Sequence, residues 1–227
     1  MAQTSVCELK SLHNPTMSEL IFYHRNLPHW HPPGRAIFLT WRLYGSLPQN
    51  VINRLTIFRQ QLSNRLAGSS ENSRVNEYKK LFAKTDAILD KADSGPLWLK
   101  QPQIAQITED ALLHKYSHLY VLWSYVVMAN HLHVFLKPKN AVSVSSITKR
   151  LKGSTAREAN RLLERTGQPF WQDECFDHWS RDPTEFLRII RYIENNPVQA
   201  GLVSKAEDWK WSSAAERKRR GLKQVQP

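Results

Sequence analysis

The chain has 227 residues, 41% hydrophobic and 10% aromatic, with 8 Trp, 8 Gly and two cysteines, Cys7 and Cys175. That composition excludes an intrinsically disordered chain, a collagen-like repeat and a disulfide-stapled scaffold. The 32 Lys and Arg against 20 Asp and Glu leave a formal charge of +12, which points to a polyanionic partner, most commonly nucleic acid.

Residues 1–20 are mixed and polar and read as a flexible tail. They contain no basic segment followed by an apolar one, so no signal peptide is expected, and a cytoplasmic location follows. The longest nearly apolar run, Tyr120 to Ala129, falls far short of the roughly 20 residues needed to span a bilayer. Residues 21–213 read as the folded domain. Pro28, Pro32, Pro33 and Gly34 suggest a stiff loop around His29-Trp30-His31. Ala36 to Leu43 (AIFLTWRL) has the aromatic and aliphatic content of a buried strand.

Helices are expected over 49–66 and about 74–92, separated by Gly68-Ser69-Ser70. Ile104, Ile107, Ala111 and Leu112 mark another amphipathic helix. Tyr120 to Val127 and His131 to Leu136 read as two strands joined by Met128-Ala129-Asn130, a hairpin. A basic helix covers about 143–165, followed by an irregular aromatic segment from Phe170-Trp171. A last helix starts at Asp182, which is a good cap, with Pro183 in the first turn and Glu185 three residues after the cap. Phe186, Leu187, Ile190 and Ile193 would form its apolar face, and Pro197 should end it. Residues 214–227, carrying Arg217-Lys218-Arg219-Arg220, read as a basic tail that contacts DNA or only aids solubility. Interleaved helices and a tight strand hairpin imply an α+β fold, a central antiparallel or mixed sheet with helices on it.

Three groups of residues carry chemistry. Alternation along a strand places His131 and His133 on one face, a bidentate metal site suited to Mg, Mn or Zn, with no thiolate nearby. An isolated pair of this kind is more often packing and hydrogen bonding on a half-buried strand face. Tyr192 and Asn196, four apart on the last helix, share a face, with Arg188 one turn earlier. Between Lys149 and Arg165, the six basic residues Lys149, Arg150, Lys152, Arg157, Arg161 and Arg165 face two acids. Such a helix can track a phosphate backbone or be an ordinary solvated face. Trp30, His31, Phe170 and Trp171 could stack unpaired bases, although aromatic residues more often fill cores. His29-Trp30-His31 is a weaker second metal candidate.

The stretches YVLWSYVVMANHLHVFLKP (120–138), KGSTAREANRLLERTGQPFWQDECFDHWSRD (152–182) and RYIENNPVQAGLV (191–203) closely resemble the REP-associated tyrosine transposases. These are bacterial relatives of the single-tyrosine HUH (His-hydrophobe-His) transposases. NLPHWHPPGRAIFLTWRLYGSLP (26–48) and EDWKWSSA (207–214) are also similar to that family, so the resemblance spans roughly 26–214. It implies a ferredoxin-like HUH nuclease fold, with Tyr192 as nucleophile, His131, His133 and Asn196 as ligands of Mg2+ or Mn2+, and single-stranded DNA hairpins of repetitive palindromes as substrate. It also implies residence at the nucleoid. Where the family usually reads Met-Pro-Asn-His, Ala129 replaces the proline; this loosens the turn without removing a ligand. Two other readings remain open at this point: a DNA-binding module that no longer cuts, and a hydrolytic zinc enzyme. The latter would normally have a carboxylate or third histidine close by in sequence, where Val134-Phe135-Leu136 stands.

Overall fold

The computed structural model describes residues 21–24, 28–31, 34–65, 71–139, 142–173 and 175–223; the predicted tail 1–20 lies outside them. A short hairpin, β1 (Ile21–His24) and β2 (Pro28–His31), comes first, with His24 opposite Pro28 and Phe22 opposite Trp30. The loop expected around Trp30 is thus a strand. Pro28 is tolerated because it is the first strand residue.

The main sheet contains β3 (Ile37–Arg42), β4 (Tyr120–Val127), β5 (His131–Pro138) and β6 (Phe176–Trp179) in the order β4-β5-β3-β6, all neighbours antiparallel. This is the strand order of a ferredoxin-like sheet, and the fold is α+β as expected. The β4–β5 hairpin turns at the predicted residues, closed by Met128 N–H donating to the His131 carbonyl at 2.9 Å. β6 falls in the segment read as irregular: four residues with a charged Asp177 and His178 carry too little periodicity to announce a strand.

Register sorts every sheet side chain onto one of two faces. On β3, Ile37, Leu39 and Trp41 pair with Leu136, Val134 and Leu132. These residues form one core with α3 (Pro102–Asp110), the π-helical turn Ala111–Lys115, and α4 (Val144–Leu162) through Val144, Ile147 and Leu151. Phe170 and Trp171 are buried in the same core, and the Trp171 indole N–H donates to Thr155 Oγ1 at 2.9 Å, so neither is available for base stacking. On the opposite face, Phe38, Val126 and Phe135 pack against Ile189, Ile190 and Ile193 of α5 (Pro183–Gln199). The remaining helices are α1 (Gln49–Arg65), α2 (Glu71–Lys91) and α6 (Ser213–Arg219).

The α5 N-terminus forms as its sequence dictates, with Asp182 Oδ1 accepting from the Glu185 N–H at 2.8 Å and Pro183 in the first turn. Its end does not: the helix runs through Pro197 to Gln199. A proline in a last turn removes one donor, and here the turn is held by the bonds from Ala200 N–H to the Asn196 carbonyl and from Leu202 N–H to the Pro197 carbonyl, both 2.9 Å. Leu187, expected on the apolar face, is exposed, whereas Ile189 takes a place in the core.

The basic run expected in a tail is helical through Arg219 and largely committed to neighbours. Arg217 pairs with the buried Glu194 of α5, Arg219 and Arg220 with Glu216, and Lys218 with Asp208. Glu194 also accepts from Ser213 Oγ at 2.5 Å, so α6 is bound to α5 by a buried polar cluster. Truncating Arg217 to Ala would leave that carboxylate without its cation, and breaking a buried pair costs about 3 kcal/mol. Arg217→Ala should therefore lower the free energy of unfolding by roughly that amount in a urea titration, while a control Arg220→Ala, on an exposed pair, should change it by about 0.5 kcal/mol or less.

Candidate active site

β3, β5, α2 and α5 converge on the sheet face opposite α4. Thr40, His131 and His133 all point there, because Thr40 is the register partner of His133 and Arg42 that of His131. Both imidazoles are 0% exposed. Each uses its Nδ1 on a neighbour: His133 with Thr40 Oγ1 and His131 with Asn130 Oδ1, both at 2.7 Å. That fixes the rings and directs both Nε2 atoms toward α2.

There they meet Asp86, which is 2% exposed. His133 Nε2 lies 3.4 Å from Asp86 Oδ2, and His131 Nε2 lies 3.8 Å from Asp86 Oδ1 and 3.5 Å from Asp90 Oδ1. The Tyr192 hydroxyl donates to Asp86 Oδ2. The Tyr192 ring stands 5.6 Å, centroid to centroid, from that of His133, edge-on to it. The two predicted constellations, on β5 and on α5, therefore meet across one carboxylate. Asn196 is fully buried beside Asp90.

Two side-chain pairs between α2 and α5 share one sequence separation, Lys79 with Glu185 at 2.5 Å and Asp86 with Tyr192, each 106 apart, and the neighbours Asp90 and Asn196 keep the same spacing. Lys79 to Asp86 and Glu185 to Tyr192 are both two helical turns, so the helices run parallel and in step. At the far end, Glu185 also accepts from His178 of β6 at 2.9 Å and from the Arg181 N–H at 2.9 Å, which fixes the first turn of α5.

The electrostatics follow from burial and proximity. Burial alone would raise Asp86, but His133, His131 and the Tyr192 hydroxyl outweigh it and hold the carboxyl at about 2. Asp90 is pushed up to about 7, first by burial and then by the Asp86 charge. Burial, reinforced by His133, pushes His131 down to about 3. Tyr192 is raised by burial and by the charges of Asp86 and Asp90. A neutral His131 facing a charged Asp86 is the protonation state of a metal-ligand set.

The polar atoms left over fit a cation. Asp86 Oδ1, Asp90 Oδ1, His131 Nε2, His133 Nε2 and both amide atoms of Asn196 are buried without a hydrogen-bond partner. Buried polar groups rarely go unsatisfied, so this many in one spot calls for a ligand. Ligand atoms of Asp86, His131 and His133 lie within 4.8 Å of one another. Octahedral ligands about 2.1 Å from a shared Mg2+ stand roughly 3–4 Å apart, and the 3.4 and 3.8 Å between Asp86 and the two imidazoles fall in that range.

Asp86, Asp90 and Thr40 were not singled out in the sequence. The available signal was two carboxylates four apart on a helix whose neighbouring positions, Leu81, Phe82 and Leu89, face the core. The other predicted residues are not gathered here. Lys149, Arg150, Arg157 and Arg161 are exposed on α4, across the sheet from the histidines. Lys152 instead donates to the carbonyls of Gln172 and Asp173 at 2.5 and 2.8 Å, tying down the chain before β6. Arg188 is exposed one turn before Tyr192, and the Trp30 side chain lies outside what is described.

Comparison with known proteins agrees with this geometry. No curated protein matches the sequence. Residues 102–196 match the family model for IS200-like transposases. A solved structure of a REP-associated tyrosine transposase bound to a REP hairpin is similar at a TM-score of 0.54 and 16% identity, over 89% of this chain and 88% of that one. None of the described helices is long and apolar enough to cross a membrane. The resemblance read from the sequence has two findings beside it: the segment carrying His131, His133, Tyr192 and Asn196 lies inside the stretch that matches the IS200-like transposase model, and the fold around it is similar to that of a REP-associated tyrosine transposase.

Proposed function

We propose that the protein is a metal-dependent endonuclease and strand transferase that cuts single-stranded DNA at palindromic hairpins through Tyr192. The observation that carries this reading is the convergence of a phenol and two imidazoles on one buried carboxylate, ringed by polar atoms with no partner. Asp86, His131 and His133 would hold the cation, with Asn196 and Asp90 adjoining. Imidazole and carboxylate oxygen without thiolate suit Mg2+ or Mn2+. When bound, such a cation polarises a phosphate oxygen and acidifies nearby hydroxyls.

The rest is done by this chain's own residues. Tyr192 Oη attacks phosphorus, the bond from phosphorus to the 3′ oxygen breaks, and that oxygen leaves as a 3′-hydroxyl. The 5′-phosphate stays on Tyr192. Attack by a 3′-hydroxyl on that phosphotyrosine reforms a phosphodiester without a nucleotide cofactor. A carboxyl held at about 2 is a poor acceptor for the proton of a phenol raised above its usual value, so Asp86 orients the hydroxyl rather than deprotonating it. Thr40 and Asn130 keep the imidazoles aimed.

The hairpin held by the similar solved structure supports palindromic hairpin DNA as the substrate class. Lys149, Arg150, Arg157 and Arg161, with Arg188 on the nucleophile's own helix, would contact the phosphate backbone. A partner of that kind would have the protein work in the bacterial cytoplasm, at the nucleoid. The complete burial of both imidazoles beneath α2 favours a second reading, a hairpin-binding module that does not cut.

Incubation with a labelled hairpin and Mg2+ or Mn2+ separates the two. A denaturant-resistant protein–DNA adduct is expected, and Tyr192→Phe should abolish it with binding retained. Cleavage by the Phe variant would remove Tyr192 as nucleophile, and binding without an adduct in either metal would favour the module. Metal binding has its own readout. An ion at a hundred times its Kd stabilises a fold by about 2.7 kcal/mol, so Mn2+ should raise the melting temperature of the wild type. The shift should vanish in His131→Ala/His133→Ala, and an equal shift in that variant would place the ion elsewhere.

A further inference from the structure

A groove of about 470 Å3 runs between the α1–α2 pair and the end of β3, and Gln172, Cys175 and Phe176 also line it. That volume is in the range of small-ligand sites, which run roughly 300–1,000 Å3. Two of its walls belong to the candidate active site. Thr40, which holds His133, and Asp86, which accepts from Tyr192, both line it. The groove therefore adjoins that cluster at Thr40 and Asp86.

Its lining is of two kinds. Tyr78, Phe82 and Phe176 present aromatic rings, the last two stacked with centroids 4.0 Å apart. Gln60, Gln172 and Arg42 bring amide and guanidinium groups. Among the described residues, neither glutamine side chain makes a hydrogen bond that would occupy its amide. Flat apolar walls edged by two amides and a guanidinium, with a carboxylate at the inner end, fit a ligand that is itself a neutral heteroaromatic ring with polar edges. The Arg42 guanidinium is turned to the Leu43 carbonyl and Ser46 Oγ, at 3.4 and 3.3 Å.

We propose that this groove seats one unpaired nucleobase of the DNA strand, the one adjoining the phosphate that Tyr192 attacks. The proposal rests on the nuclease reading above and names a substrate subsite for it. A base lying against Tyr78 and Phe82, with its edge met by Gln60 and Gln172, would carry its own phosphate toward Asp86 and Tyr192. Base stacking on aromatic side chains is sequence-tolerant, and amides reading the edge would supply the preference. Strand choice near the cut would then be made by α1 and α2 rather than by the basic helix on the far side of the sheet.

Cys175 lines the same groove and provides a handle. The full chain carrying Cys7→Ser and Tyr192→Phe, without divalent metal, is mixed with hairpin DNA bearing unpaired flanks. One flanking cytosine at a time carries a base-tethered alkyl disulfide, and exchange with Cys175 leaves a protein–DNA mixed disulfide. Cross-linking is expected at one flanking position, or two adjacent ones, and should be lost in Cys175→Ser. An abasic residue at that position should weaken binding about tenfold in the wild type and less than threefold in Gln60→Ala/Gln172→Ala. Equal cross-linking along the whole flank, none at any position, or an undiminished abasic penalty in the double variant would overturn the subsite. Neither readout needs strand cleavage, so failure of the nuclease reading would show separately, as absence of the metal-dependent adduct.

Discussion

The structure around the candidate site depends on how a carboxylate is kept charged in the interior. Asp86 has almost no contact with water, and an isolated buried charge of that kind would neutralise or unfold its surroundings. It stays ionised because two imidazoles and a phenol face it at once. Those partners come from β5 and α5, and each is anchored in turn: the imidazoles by Thr40 and Asn130, the phenol by a helix whose first turn is fixed to β6 and α2 through Glu185. The arrangement is a chain of mutual constraints in which no member is placed by local propensity alone.

Much of this was legible in the sequence, and the parts that were not have identifiable causes. His131 and His133 could be placed side by side because strand alternation is a short-range rule, and the Asp182 cap could be read because capping is local. Asp86 could not, because its role appears only when α2 is laid against α5, more than a hundred residues later. Pro197 misled for the opposite reason. A local rule ended the helix there, and packing of Ile193, Asn196 and Pro197 carried it one turn further. The basic run near the C-terminus looked solvated because the acids that meet Arg217 and Lys218, Glu194 and Asp208, lie outside it. β6 was missed because its four residues owe their conformation to β3.

The sheet also divides two properties that the sequence presents together. The chain is strongly basic and carries Tyr192 with paired histidines, and a reader of the sequence alone would put both on one surface. The register separates them. Ile37, Leu39 and Trp41 look toward α4 and its exposed cations, while Phe38 and Thr40 look toward Tyr192. A long nucleic acid touching both faces would have to pass around an edge of the sheet. A folded hairpin with a single-stranded extension has that shape, a double-stranded body for the cationic side and a thin end for the other.

The in-step pairing of α2 with α5 bears on which sequence changes the protein can absorb. One residue added to or deleted from α2 between Lys79 and Asp86 would turn every later side chain by about 100° around the helix axis. Asp86 and Asp90 would then swing away from the histidines together, while Lys79 kept its hold on Glu185. Substitutions on the outer side of α2 leave that spacing intact. Length variation in this region should therefore be confined to the connection between α1 and α2 and to the turn after Lys91, where an extra residue shifts no pair.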